Sequence, residues 1–163
     1  MDNNRLEIEL KKHHQDAYLW ACQCCNYQEE EAKEVLQQVY LKIAEGKARF
    51  NEKASFKTWL FSVIRFTAID HQKQQSRYID LDQVRDMVSD EAVDDPGINY
   101  RQLLALLPDR QRQVLLLAFY HEMTLTDIAA ITQLHIGTVR THYERGKASL
   151  KQLITDKKKL SYG

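Results

Sequence analysis

In the stretch HIGTVRTHYERGK, residues 135–147, Arg140, Arg145 and Lys147 sit among Thr141, His142 and Glu144. Guanidinium and ammonium groups bond phosphate oxygens, and hydroxyl and imidazole groups bond phosphates or base edges. A carboxylate accepts from the exocyclic amine of cytosine. Chemistry of this kind recognises a polyanion and makes no covalent bonds. A second set spans residues 47–77, where Phe50 and Phe61 are interleaved with Lys47, Arg49, Arg65, His71, Lys73 and Arg77. Cations for phosphates and flat rings for unstacked bases are what single-stranded nucleic acid needs. The same pattern also arises when aromatics fill a core and lysines coat an ordinary surface. A third set, Cys22, Cys24 and Cys25 in ACQCCN, has His13 and His14 upstream. A structural zinc site needs four ligands converging from separated pairs, and no second pair follows, so no metal or other cofactor is expected. An odd cysteine count gives no disulfide framework and suits a reducing compartment. These residues read as reduced thiols that pack as small apolar groups. The chain has no GxxxxGK, GxGxxG, HExxH or paired CxxC pattern, so it is not expected to be an enzyme.

These side chains must be positioned by helices. Glycine and proline together occupy seven of 163 positions, which favours helical, globular material. Lys plus Arg balance Asp plus Glu at 23 each, but the charge is unevenly spread. Residues 46–79 carry seven Lys/Arg against Glu52 and Asp70, and residues 135–163 carry seven against Glu144 and Asp156. Between them, LDQVRDMVSDEAVDDPGI (81–98) holds six acids and one arginine. A polyanionic partner responds to such local fields rather than to the total. The acidic segment lacks helical periodicity and contains the breaker DDPG. The expected architecture is therefore all-α, with two small helical domains, 1–80 and 99–163, joined by a flexible acidic linker, 81–98. The alternative is one larger domain with a long surface loop. No stretch approaches the ~18–20 apolar residues that cross a bilayer, and MDNNRLEIEL resembles no secretory signal. A cytoplasmic protein with no membrane insertion of its own is expected.

Residues 5–26 predict one helix, and EEEAKEVLQQVYLKIAEG a second, whose acidic start suits the helix dipole. Ala32, Val35, Leu36, Val39 and Ile43 form its apolar stripe, leaving Glu34, Gln38, Leu41 and Lys42 largely on the other side. A third helix starts after Ser55, a natural N-cap, with Phe56, Trp59, Leu60, Val63, Ile64 and Thr67 toward the core. Phe61, Arg65, His71, Lys73 and Arg77 are expected elsewhere on it. Pro108 suits the first turn of a helix through DRQRQVLLLAFYHE. TLTDIAAIT follows as a short helix capped by Thr124, with Ala129 small where two helices must cross. A tight QLHIG connection leads into a long last helix. Two helices about a short turn, the second bearing cations, make a helix-turn-helix. The last helix has its seam at Ile136, Val139, Tyr143, Gly146, Leu150 and Leu153. At ~100° per residue, Gly137, Thr141, Glu144 and Ala148 oppose that seam, flanked by Arg140, Lys147 and Arg145.

In EAKEVLQQVYLKI, SFKTWLFSVIRFTAIDH and the segment from LLPDRQRQVLLLAFYHE to HIGTVRTHYERGKASL, the chain resembles the extracytoplasmic-function (ECF) type bacterial RNA polymerase sigma factors. The likeness covers regions two and four of that family in order, with its linker between them. It implies a factor that binds core RNA polymerase and directs promoter-specific transcription initiation, with promoter DNA and an anti-sigma factor as partners. It implies that Glu34, Gln37, Gln38, Tyr40 and Leu41 bind polymerase. It places Phe50, Lys57, Trp59, Arg65, Phe66, His71, Lys73 and Arg77 at the minus-ten region. Arg140, Thr141, His142, Glu144, Arg145 and Lys147 fall on the minus-thirty-five helix. The family usually has Asp for Glu34, an acid for Gln38, Asn for Phe66, Gly for Gln133 and Arg for His142. The other reading is a stand-alone helix-turn-helix regulator that never engages polymerase.

Overall fold

A computed structural model describes residues 2–78 and 99–162, and every regular element among them is helical. The acidic segment 81–98 lies outside the described residues. Two compact units are present, the first built on helices α1 to α4. These are α1 (Asn3–Lys12), α2 (His14–Cys24), α3 (Glu29–Ala44) and α4 (Phe56–Tyr78). The expected single helix over 5–26 is two helices that meet at His13, whose φ of −103° and ψ of 9° leave the helical region. At the break the His13 ring stacks on Phe56 at 6.0 Å.

The core of this unit is the meeting of α2, α3 and α4. The predicted α3 stripe, Ala32, Val35, Leu36, Val39 and Ile43, is buried throughout. Trp20 is completely buried, stacks on Phe61 at 5.6 Å and donates Nε1–H to the Phe61 carbonyl at 3.1 Å. Each such aromatic contributes on the order of 1.5–3 kcal/mol by leaving water. Ser55 caps α4 as expected, its Oγ accepting from Thr58 N–H at 3.1 Å. Phe61, expected away from the core, is completely buried. Helix α4 packs on both α2 and α3, so its buried face is wider than one stripe.

The second unit centres on α6 (Asp109–Leu115) and α8 (Ile136–Tyr162), with α5 (Tyr100–Ala105) against α8. Pro108 is the N-cap of α6, one position before its expected place. The helix predicted through DRQRQVLLLAFYHE turns π-helical at Leu116–Tyr120, closing with His121 N–H on the Leu116 carbonyl at 3.1 Å. Gly146 lies where α8 crosses α6, and a Cβ there would come within 3.2 Å of the Leu115 side chain. No described helix is long and apolar enough to cross a membrane.

Candidate nucleic-acid interface

Thr124 Oγ1 accepts from Asp127 N–H at 3.1 Å and so starts α7 (Leu125–Thr132). Gln133 then takes the left-handed conformation, φ 59°, that reverses the chain toward α8. His135 caps α8, its Nδ1 accepting from Gly137 N–H at 3.1 Å. Residue type alone does not announce this cap, because His is a weak capping residue. Val139 and Gly146 are buried, while Arg140, Thr141, Glu144, Arg145, Lys147 and Ala148 form an exposed face. Thr138, in the first turn, is exposed beside them and was not among the expected contacts. Small side chains between long cations let a helix enter a major groove while both phosphate walls stay within reach.

Lys147 on that face and His142 beside it are restrained. Lys147 Nζ lies 3.9 Å from Glu144 Oε1 and 4.6 Å over the Tyr143 ring, which stacks on exposed Phe119 at 5.7 Å. His142 is half-buried, and its Nδ1 is buried with no hydrogen-bond partner among the described residues. It stands on the flank of the packing seam rather than at the centre of the reading face.

In the first unit, Phe50, Phe56 and Trp59 form an aromatic cluster with ring separations of 5.3 to 5.5 Å. Phe50 and Trp59 are half-buried, and Phe66 is 48% exposed with Lys73 exposed beyond it. Lys57 pairs with Asp16 at 3.3 Å, and Arg65 is half-buried. His71 is not on this face. It is buried, with Nε2 on Glu31 Oε1 at 2.9 Å and Nδ1 near the Gln38 amide at 3.5 Å, which corrects its expected position. Arg77 belongs to α4, but its side chain lies outside the described residues.

On α3, Glu34, Gln37 and Leu41 are exposed, and Gln37, Tyr40 and Leu41 line an apolar groove with His14, Tyr18 and Leu36. The Tyr40 hydroxyl and His14 Nδ1 share a 2.7 Å hydrogen bond, and burial pushes the Tyr40 phenol above its ordinary range. Gln38 and Lys42 do not join this face. Both turn toward α4, Lys42 Nζ donating to Thr67 Oγ1 at 2.9 Å.

Cys22 and Cys25 are buried and Cys24 half-buried, and none of the three is in a disulfide. Burial pushes the Cys25 thiol up to about 12 and the Cys24 thiol well above its usual value, so both stay protonated. Among the described residues, no three His, Cys, Asp or Glu side chains converge as metal ligands.

Residues 10–78 match the family description "Sigma-70 region 2", and residues 98–150 match "Sigma-70, region 4". The chain is 30% identical over 154 residues to the ECF RNA polymerase sigma factor SigX of Bacillus subtilis, covering 86% of this chain and 78% of that one. It is 24% identical over 143 residues to SigW of the same organism, an ECF RNA polymerase sigma factor, covering 77% and 76%. Among solved structures, the sigma factor RpoE of Bartonella quintana, crystallised with the anti-sigma factor NepR, shares the fold with a TM-score of 0.76. That likeness covers 93% of this chain and 97% of that one at 20% identity.

Proposed function

The chain belongs to the ECF sigma factors of RNA polymerase, and from that premise we propose which of its surfaces do the work. It binds core RNA polymerase and directs promoter-specific transcription initiation. The exposed face of α3, with Glu34, Gln37, Tyr40 and Leu41 along an apolar groove, is its docking surface on the polymerase. Gln38 supports that surface from behind. In the other half, Arg140, Thr141, Glu144 and Arg145 enter the major groove of the minus-thirty-five element, with Thr138 as an additional first-turn contact. Lys147 reaches phosphate after leaving Tyr143, and His142 acts chiefly by seating the helix. Phe50, Trp59 and Phe66, with Lys57, Arg65, Lys73 and Arg77, meet the minus-ten strand. His71 takes no part in that contact. Residues 1–80 and 99–163 are the two working domains, with 81–98 as their connection. The chain selects and opens a start site and catalyses nothing itself; the polymerase supplies the chemistry. An anti-sigma factor is its natural antagonist, with the apolar α3 groove as the surface such a partner would cover.

The observation that carries this reading is the exposed cationic face on α8, behind a capped α7 and a left-handed turn, in one chain with an apolar groove along α3. The test adds purified protein to sigma-free core polymerase and follows run-off transcription from candidate promoters. Stable complex formation and initiation are expected. Duplex binding by the free chain, with no core complex and no initiation, would favour the stand-alone regulator instead.

A further inference from the structure

The interior of the first unit changes character along α4. From Phe56 to Ile64, α4 is held chiefly by apolar packing, with Phe56, Leu60, Phe61 and Ile64 buried, while buried Thr58 bonds to the Ser55 cap and Trp20 to the Phe61 carbonyl. Further along, Thr67, Ala68 and His71 are buried, and from 69 to 76 His71 is the only buried side chain. This half meets α3 through polar groups. Glu31, Gln38 and Lys42 of α3 are seven and four residues apart, a spacing that aligns them on one helix face. They meet His71 at 2.9 and 3.5 Å and Thr67 at 2.9 Å. The Glu31 carboxylate accepts from Nε2–H at 2.9 Å, and Nδ1 faces the Gln38 amide at 3.5 Å, so one ring is oriented by a short bond on one nitrogen and a longer polar contact on the other. Gln72 adds a bond from its Nε2 to the Cys24 carbonyl at 3.0 Å, tying the same stretch to α2.

Apolar burial is non-directional, whereas a hydrogen bond to a ring nitrogen fixes the orientation of the ring. The segment so held follows directly on Phe66 and leads to Lys73, the side chains proposed for the minus-ten strand. The helix that holds it presents the proposed polymerase-docking face on its outer side.

We infer that His71, with Thr67 behind it, is a positioning residue. It locks the strand-facing half of α4 to α3, so that docking on polymerase also aims the minus-ten contacts. This inference rests on the sigma-factor assignment of both faces.

The test compares the wild type with His71→Leu, His71→Gln and Thr67→Val in the full-length chain. Three quantities are measured: affinity for core polymerase, the thermal transition of the free factor, and the rate of open-complex formation. That rate is followed on a duplex promoter and on the same promoter pre-melted across the minus-ten element. For His71→Leu, open-complex formation on duplex falls about ten- to a hundredfold, the scale of a misplaced reacting group. Core affinity stays within about twofold, the scatter of independent sites. Pre-melted template recovers most of the loss, and His71→Gln, which can both donate and accept, recovers part of it on duplex. Thr67→Val keeps shape while removing the Lys42 bond and shows a smaller loss of the same kind, so the test survives if His71→Leu folds poorly. Unchanged duplex melting in the folded variants overturns the inference. Core affinity and thermal stability falling in step with initiation overturns it as well, because the role would then be structural only. A wild-type chain that fails to bind core would instead sink the sigma-factor assignment of the docking face.

Discussion

Glu144 is the one acid on a face otherwise built for an anion, and its replacement separates two accounts of that face. The carboxylate is 63% exposed and lies 3.9 Å from Lys147, itself 43% exposed. A surface pair three residues apart on a helix is worth about 0.2–0.5 kcal/mol. A good contact to a base edge discriminates by about 1–3 kcal/mol, or roughly five- to a hundredfold and more. The base contact is the stronger of the two. The expected outcome on DNA is therefore that the carboxylate leaves Lys147 to accept from a cytosine amine, freeing the ammonium for a phosphate. Glu144→Ala flattens preference at one base pair of the minus-thirty-five element by about 1–3 kcal/mol. Glu144→Gln shifts that preference toward adenine, because an amide pairs with adenine N6 and N7. The assay is run-off transcription by reconstituted holoenzyme on templates carrying all four bases at each position of the element. An unchanged ranking of bases in both variants, with a stability loss no greater than about 0.5 kcal/mol, would refute the reasoning and leave Glu144 as a partner of Lys147 alone.

Two further expectations follow from the backbone and the thiols. Gln133 holds φ 59°, a region that costs a side-chain-bearing residue about 1–2 kcal/mol and glycine almost nothing. Gln133→Gly therefore stabilises the chain by several tenths to about 1 kcal/mol after the extra chain entropy of glycine is subtracted; a lowered thermal midpoint contradicts this. Burial raises the Cys25 thiol to about 12 from an ordinary 9.0, so its stabilising contribution is intact below pH 9.0 and is lost as pH climbs toward that raised value. At pH 8, alkylation of Cys24 and Cys25 in the native chain is much slower than in urea, and equal rates would show that the thiols are not held protonated by the fold.

Much of this fold was legible because its signals are local. The α3 stripe from Ala32 to Ile43 repeats at helical spacing, and Ser55 and Thr124 cap the helices they precede. The exposed face of α8 follows from its period alone. What was not legible depends on partners distant in sequence. Phe61 and His71 are buried because α4 is covered by two helices, and single-helix periodicity marks only one stripe. Gln38 and Lys42 look like surface residues until His71 and Thr67 are found opposite them. The break at His13, where the ring stacks on Phe56, has no breaker residue to mark it, and Gln133 turns left-handed without the glycine that would announce it. The π-turn at Leu116–Tyr120 inserts an extra residue that no pattern of apolar positions reveals.

Helix α8 packs with Val139 and Gly146 and presents Arg140, Thr141, Glu144 and Arg145 on the side away from them. Substitution bears differently on the two sides. A Cβ at Gly146 would lie 3.2 Å from the Leu115 side chain, which would have to give way, whereas a change at Thr141 or Glu144 touches only exposed groups of α8 itself, the Gly137 carbonyl and Lys147. A duplicated copy of this chain could therefore drift to a new promoter by a few exposed substitutions while keeping its fold. Insulating one gene set from another would then require very little new sequence.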